Sequence, residues 1–127
     1  MNRVVLDSSA ILAFLQQEHG ADVVMKLLGS AIVSAVNVAE VQSKLIREGM
    51  PPEEAKIAVE ACLPTIEAFD SEQASEAAAL ILSTQKLGLS LGDRACLALG
   101  LATKSPVYTA DRAWAQLQVG VDVKLVR

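Results

Sequence analysis

The chain has 127 residues, a formal charge of −4, 52% hydrophobic residues and only 3% aromatics. That length suits one ordinary domain, and the apolar fraction excludes a disordered chain. So few rings exclude a single-strand binder that works by base stacking, and the acidic balance counts mildly against any nucleic-acid partner unless a bound divalent cation reverses the sign locally.

Val4-Val5-Leu6 is strand-like, and helical patterns follow over residues 8–17 and 20–28. Ala31-Ile32-Val33 is again strand-like. A helix is expected over 35–48, stopping at Gly49, and another from Pro52 to about Cys62, ending before Pro64. Residues 65–69 are strand-like, 71–87 read as one long helix closed by Gly88, and 90–104 as a further helix. Residues 106–109 give a strand, 112–117 a short helix, and 121–126 a last strand. This alternation predicts a three-layer α/β/α domain over residues 1–127, with a central parallel sheet of about five short strands. No linker, repeat or low-complexity stretch divides it. Cys62 and Cys96 fall in helical stretches and read as small core residues. No leader-like start and no apolar run of spanning length is found, so a cytoplasmic location off the membrane is expected.

Parallel α/β sheets bind ligands beyond the carboxyl ends of their strands. Asp7 directly follows the first strand, and Asp111 follows Val107-Tyr108-Thr109-Ala110. Glu40 lies early in the helix after the second strand, and Asp93 lies in the first turn of the helix opening at Ser90. Two carboxylates ~4 Å apart repel by about 4 kcal/mol at an effective dielectric of ~20. A converging group of acids therefore calls for a cation, and oxygen-only ligation suits Mg²⁺ or Mn²⁺. Each acid also has an ordinary explanation. Asp7 and Asp111 suit helix N-caps, Asp93 completes a capping box with Ser90, and Glu40 shares a polar stripe with Asn37, Lys44 and Arg47. The case for a site rests on their shared edge.

Four blocks carry a resemblance: Val5-Leu6-Asp7-Ser8-Ser9-Ala10-Ile11-Leu12, Ser34-Ala35-Val36-Asn37-Val38-Ala39-Glu40-Val41, the stretch from Leu89 to Gly100 around Gly92-Asp93-Arg94, and Val107-Tyr108-Thr109-Ala110-Asp111. In order and spacing they resemble the PIN domain, and more closely the VapC-type toxins of bacterial and archaeal toxin–antitoxin pairs. The resemblance covers essentially the whole chain. It implies an Mg²⁺- or Mn²⁺-dependent ribonuclease with Asp7, Glu40, Asp93 and Asp111 as an acidic quartet. The first and third acids would hold a metal directly, and the second and fourth would help through water or a second ion. Ser9 matches a hydroxyl that orients the first Asp, and Thr109 a Thr two places before the last. Arg94 and Arg112, each next to a quartet Asp, are candidates for holding substrate phosphates, with ordinary solvated charge as the alternative. Lys44 and Arg47 read as surface decoration. Expected partners are an RNA substrate, a second copy in a homodimer, and an antitoxin chain along the early helices, where Ala10-Ile11-Leu12-Ala13-Phe14-Leu15 is apolar all round and Pro51-Pro52 follows nearby.

The expected chemistry is hydrolysis by a metal-activated water, with no covalent intermediate on the enzyme. His19 is the only histidine, which excludes a histidine acid–base pair. Serine-hydrolase, NTPase and dinucleotide motifs are absent. A receiver-type signalling module is the main rival, but Asp7 has no acidic neighbour and no suitable late strand ends in Lys. A non-catalytic interaction domain, with every acid a cap, is the second.

Overall fold

The computed structural model describes residues 2–63 and 65–127. Met1 and Pro64, which carry the expected chain start and the stop after the fourth helix, lie outside the described residues. Strand β1 (Val4–Leu6) leads into α1 (Ser8–Leu15) and α2 (Ala21–Leu27), and β2 (Ala31–Ser34) into α3 (Ala35–Arg47) and α4 (Pro52–Cys62). Strand β3 (Thr65–Glu67) precedes α5 (Ser71–Ala79) and α6 (Ile81–Thr84); α7 (Leu91–Thr103) and β4 (Val107–Thr109) follow, then a 3-10 turn (Arg112–Gln116) and β5 (Val123–Leu125). All pairings are parallel, in the order β3-β2-β1-β4-β5. The expected five-stranded parallel α/β sheet is therefore what forms.

Alternation along β1 explains the layers. Val4 and Leu6 face one core with Ala10, Ile11, Val24, Val41 and Val59, so α1 to α4 cover that side. Val5 faces the other core with Ala77, Cys96, Leu97 and Trp114, so α5 and α7 cover the opposite side. Each fully buried aliphatic side chain contributes about 1.5–3 kcal/mol. The apolar run in α1 is largely accommodated this way: Ala10, Ile11 and Ala13 are buried, while Leu12, Phe14 and Leu15 pack half-buried against the same core. Cys96 is fully buried, as expected, whereas Cys62 is half-buried at the end of α4. No helix among the described residues is long and apolar enough to cross a membrane.

Several elements differ from the sequence expectation: the strand expected over 65–69 ends at Glu67, the short helix expected over 112–117 is a 3-10 turn over Arg112–Gln116, and three others differ as follows. The helix predicted over 71–87 breaks at Leu80. The Ser83 and Thr84 hydroxyls both donate to the Leu80 carbonyl, at 3.3 and 2.8 Å, and such back-bonding bends helices. The first helix ends at Leu15 because Gln17 turns to φ 55°. The last strand shrinks to Val123–Leu125, the portion paired with β4.

Gly100 lets α7 approach the sheet. A Cβ there would stand 2.6 Å from Val107 Cγ2 and 2.9 Å from Val121 Cγ2. Val107 is stiff and fully buried. Gly100→Ala should therefore lower stability by about 1 kcal/mol net, because an overpacking cost of about 1–3 kcal/mol exceeds the helix-propensity gain of about 1 kcal/mol. A lower urea midpoint with unchanged slope checks this; a raised midpoint would contradict the packing argument.

Candidate active site

Strands β1, β2 and β4 lie side by side, so their carboxyl ends form one edge. Asp7 follows β1 and caps α1, and Asp111 lies just beyond β4 and caps the 3-10 turn. Glu40 sits in the second turn of the helix that follows β2. Asp93 is the third residue of α7, which reaches the same edge.

Asp7 is only 3% exposed. Its carboxylate accepts from the Ala10 N–H at 2.8 Å, from the Ser9 hydroxyl at 2.8 and 2.9 Å, and from the Thr109 hydroxyl at 2.6 Å. Two further bonds set the direction of this network. The Ala110 N–H donates to Ser9 Oγ at 2.9 Å, and the Asp111 N–H donates to Thr109 Oγ1 at 3.0 Å. With those oxygens occupied as acceptors, both hydroxyl protons are free for Asp7. The network joins the start of α1 to the end of β4.

The other acids are also engaged locally. Asp93 forms the expected capping box, accepting from the Ser90 N–H at 2.9 Å while its own N–H donates to Ser90 Oγ at 3.2 Å. Asp111 accepts from the Ala113 N–H at 3.0 Å. Glu40 does not pair with Lys44 on a solvated stripe. It accepts from the Ser8 hydroxyl at 2.5 Å and from the Asn37 side-chain amide at 2.8 Å. Asn37 is itself 1% exposed and also reaches the Gly92 carbonyl at 3.0 Å. Sequence reasoning gave Ser8 and Gly92 no role and read Asn37 as part of a polar stripe. The available signal was weak: a helix-disfavoured Asn one turn before an acid, and a glycine in the first turn of a helix.

Charge accumulates along this edge. Burial pushes the Asp7 carboxyl up from 3.8 to about 6, against hydrogen bonds from Thr109, Ala10 and Ser9 that lower it, and the field of Asp93 raises it further. Asp93 is also raised, first by burial and then by Glu40 and Asp111, with the Ser90 bonds opposing. The Cys96 thiol is pushed well above 9.0 by burial, with Asp7, Asp93 and Glu40 adding, so it stays protonated and unreactive.

The three ion pairs among the described residues are Arg3–Glu67, Lys124–Asp122 and Arg127–Glu18, and none involves Asp7, Glu40, Asp93 or Asp111. The donor set is oxygen-only and its mutual repulsion is not relieved by a side-chain cation, which fits a hard divalent ion in charge and chemistry. As the side chains stand, each acid turns to its own donors. Among the described residues, no three acidic, histidine or cysteine groups converge on one point.

The structure directs the candidate phosphate-binding arginines elsewhere. The Arg94 guanidinium donates to the Ala77 carbonyl at 2.8 Å and so ties α7 to α5, with its Nε buried and unpartnered. Arg112 donates to the Arg127 carbonyl at 3.2 Å. Arg47 is exposed and Lys44 half-buried on α3, and His19 is exposed before α2.

The PIN-domain family model matches residues 4–120. No curated protein sequence matches the chain. Several solved structures share its fold. The DNA-bound VapBC complex of Salmonella typhimurium superposes with a TM-score of 0.75 at 15% identity, covering 100% of both chains. VapBC2 of Rickettsia felis, also DNA-bound, gives 0.72 at 14%, covering 96% of this chain and 97% of that one. Mycobacterium tuberculosis VapC20, described as a sarcin–ricin loop cleaving toxin, gives 0.69 at 16%, covering 93% and 98%.

The raised Asp7 carboxyl makes stability depend on pH. Its folded value of about 6 lies above an unfolded value near 3.8, so the folded state holds the proton more tightly. That contribution is complete below about pH 4 and is lost as pH rises through about 6, with the difference of about 2 units amounting to about 3 kcal/mol at most. In the metal-free protein, Asp7→Asn is expected to flatten this slope and to be more stable than wild type at pH 7. Urea unfolding at pH 4, 5.5 and 7 measures it; an identical slope in both proteins would refute the assignment.

Proposed function

The chain belongs to the PIN-domain family, and on that premise we propose that it is a divalent-metal-dependent endoribonuclease and the toxin of a toxin–antitoxin pair. The observation that carries this reading is the acidic edge itself: a buried Asp7 in the field of Asp93, and Asp93 in turn in the fields of Glu40 and Asp111, with no side-chain cation paired to any of them. Asp7 and Asp93 would hold Mg²⁺ or Mn²⁺ directly, and Glu40 and Asp111 through water or a second ion. When bound, such an ion would lower the pKa of a water it holds, so that hydroxide would be available as the nucleophile toward phosphorus near neutral pH.

The chain's own residues do the positioning. Ser9 and Thr109 hold the Asp7 carboxylate in one orientation, with their own oxygens anchored by backbone N–H groups. Asp93 and Asp111 stand at helix starts, where fixed N–H dipoles favour negative charge. Drawing them onto a cation gives up one cap bond each, about 1 kcal/mol apiece. Bringing two carboxylates to ~4 Å costs about 4 kcal/mol at an effective dielectric of ~20, and a divalent ion at the same distance would attract each of them by about 8 kcal/mol, so a bound ion would offset both that repulsion and the lost cap bonds.

The role of toxin is supported by the VapBC complexes among the structural relatives, and VapC20's described cleavage of the sarcin–ricin loop supports RNA as the substrate. An antitoxin segment would lie on the early helices. A groove of about 500 Å³ there combines apolar Leu15, Leu45, Met50 and Pro51 with polar Gln16, Glu48 and Glu54. A homodimer is part of the same reading.

The receiver alternative loses ground on topology. Its phospho-acceptor would be Asp70, which caps α5 beyond the edge strand β3 rather than ending a central strand. The non-catalytic alternative draws on a real feature, since Asp7, Asp93 and Asp111 all cap helical turns. Activity separates the two. Purified protein free of antitoxin is expected to cleave RNA with Mg²⁺ or Mn²⁺ and to stop in excess EDTA. Asp7→Asn and Asp93→Asn are each expected to cost at least ~100-fold in rate while retaining native circular dichroism. Cleavage that survives EDTA or either substitution overturns the mechanism. Phosphorylation by a small phosphodonor without cleavage returns the receiver reading.

A further inference from the structure

We infer that Asn37, backed by the bare backbone of Gly92, is a positioning residue that aims the Glu40 carboxylate at the first turn of α7. The inference rests on the reading of Glu40 as a site acid. Glu40 approaches α7 where there is no side chain: an ideal Cβ on Gly92 would overlap its carboxyl group. Gly92 immediately precedes Asp93, so this seat sets the separation of two quartet acids that stand on different helices.

Asn37 closes the contact. Its side-chain nitrogen faces three oxygens: Glu40 Oε1 at 2.8 Å, the Gly92 carbonyl at 3.0 Å and Ser8 Oγ at 3.2 Å. Turning the amide over would set its oxygen against a carboxylate and a carbonyl, so the network itself assigns the orientation. The Ser8 hydroxyl adds a second donor to Glu40 Oε1 at 2.5 Å. Three segments thus meet at one carboxylate: the start of α1, the second turn of α3 and the first turn of α7.

Two features speak against a role in stability alone. Asn37 Oδ1 is buried and has no hydrogen-bond partner among the described residues. An apolar residue would avoid that burial penalty and would also favour the helix. Gly92 is a poor helix former inside α7, and its backbone is not in the left-handed region that favours glycine. What a side chain there would displace is the flexible end of Glu40. The contrast with Gly100 in the same helix is direct, since there the obstacle is the packed core.

The test follows from that contrast. Gly92→Ala is expected to fold with an unchanged or raised Tm and to lower kcat by about tenfold or more, with KM little changed and Mn²⁺ affinity weakened by about tenfold, the scale typical of residues that orient metal ligands. Mn²⁺ binding is read by electron paramagnetic resonance. Glu40→Asp withdraws the carboxylate from Gly92, so the Glu40→Asp/Gly92→Ala double variant should be no worse than Glu40→Asp alone. Asn37→Leu removes the donor at similar volume and should match Gly92→Ala in kcat and Mn²⁺ affinity. A further readout needs neither metal nor cleavage: the Asn37 side-chain amide protons, followed by NMR in the metal-free protein, should shift in Gly92→Ala and in Glu40→Gln.

Wild-type kcat and Mn²⁺ affinity in Gly92→Ala, in a wild-type protein that does cleave RNA, overturn the inference and leave the functional reading standing. If the wild type cleaves nothing, the functional reading falls and the NMR signal decides: unchanged Asn37 amide protons in Gly92→Ala overturn the positioning role.

Discussion

A carboxylate held almost out of water at the end of the middle strand is the constraint around which this molecule is arranged. Asp7 follows Leu6, which is fully buried, and is itself nearly so. Three donors answer it, and two of these are hydroxyls whose own oxygens are taken up by backbone N–H groups. Even so, desolvation outweighs them and the carboxyl holds its proton to about pH 6. A core built for stability alone would not place an acid there. The surrounding scaffold carries the penalty. The two apolar layers, one on each side of β1, supply the stabilisation that makes it tolerable.

Capping and chemistry are carried by the same atoms along this edge. Helix starts after parallel strands need an acceptor for unpaired N–H groups, and Asp meets that need. The same helix starts point at whatever lies beyond the strand ends. An acid chosen as a cap is therefore already placed where a site can form. The two explanations of Asp7, Asp93 and Asp111 are accordingly compatible. Along this edge the fields of Glu40 and Asp111 also reach Asp93.

The layered architecture was legible because it rests on local periodicity: apolar triplets such as Val4-Val5-Leu6 alternate with helical patterns, and strand-end acids follow directly. Asp7 and Asp111 could be located from spacing alone. Asp93 and Glu40 entered through family resemblance, since each had a sound local explanation. What escaped depends on contacts between distant segments. Asn37 shares a helix face with Lys44 and so reads as solvated, yet α7 covers it through the Gly92 carbonyl, 55 residues away. Arg94, adjacent to Asp93 in sequence, turns to a carbonyl on α5, because successive helical residues point in different directions. The break at Leu80 depends on two side-chain hydroxyls finding one carbonyl, a competition that a hydrophobic pattern does not encode.

The bond between Thr109 and Asp7 spans 102 positions of the chain. Non-local contacts of that kind form slowly, because the intervening chain must be brought into place before they give any return. A growing polypeptide that has made only α1 to α6 holds Asp7 and Glu40 but lacks Asp93, Asp111 and the Thr109 hydroxyl. Its acidic edge is incomplete in charge and in support. The full edge is therefore assembled only after residue 111 has been made and β4 has docked beside β1, late in synthesis.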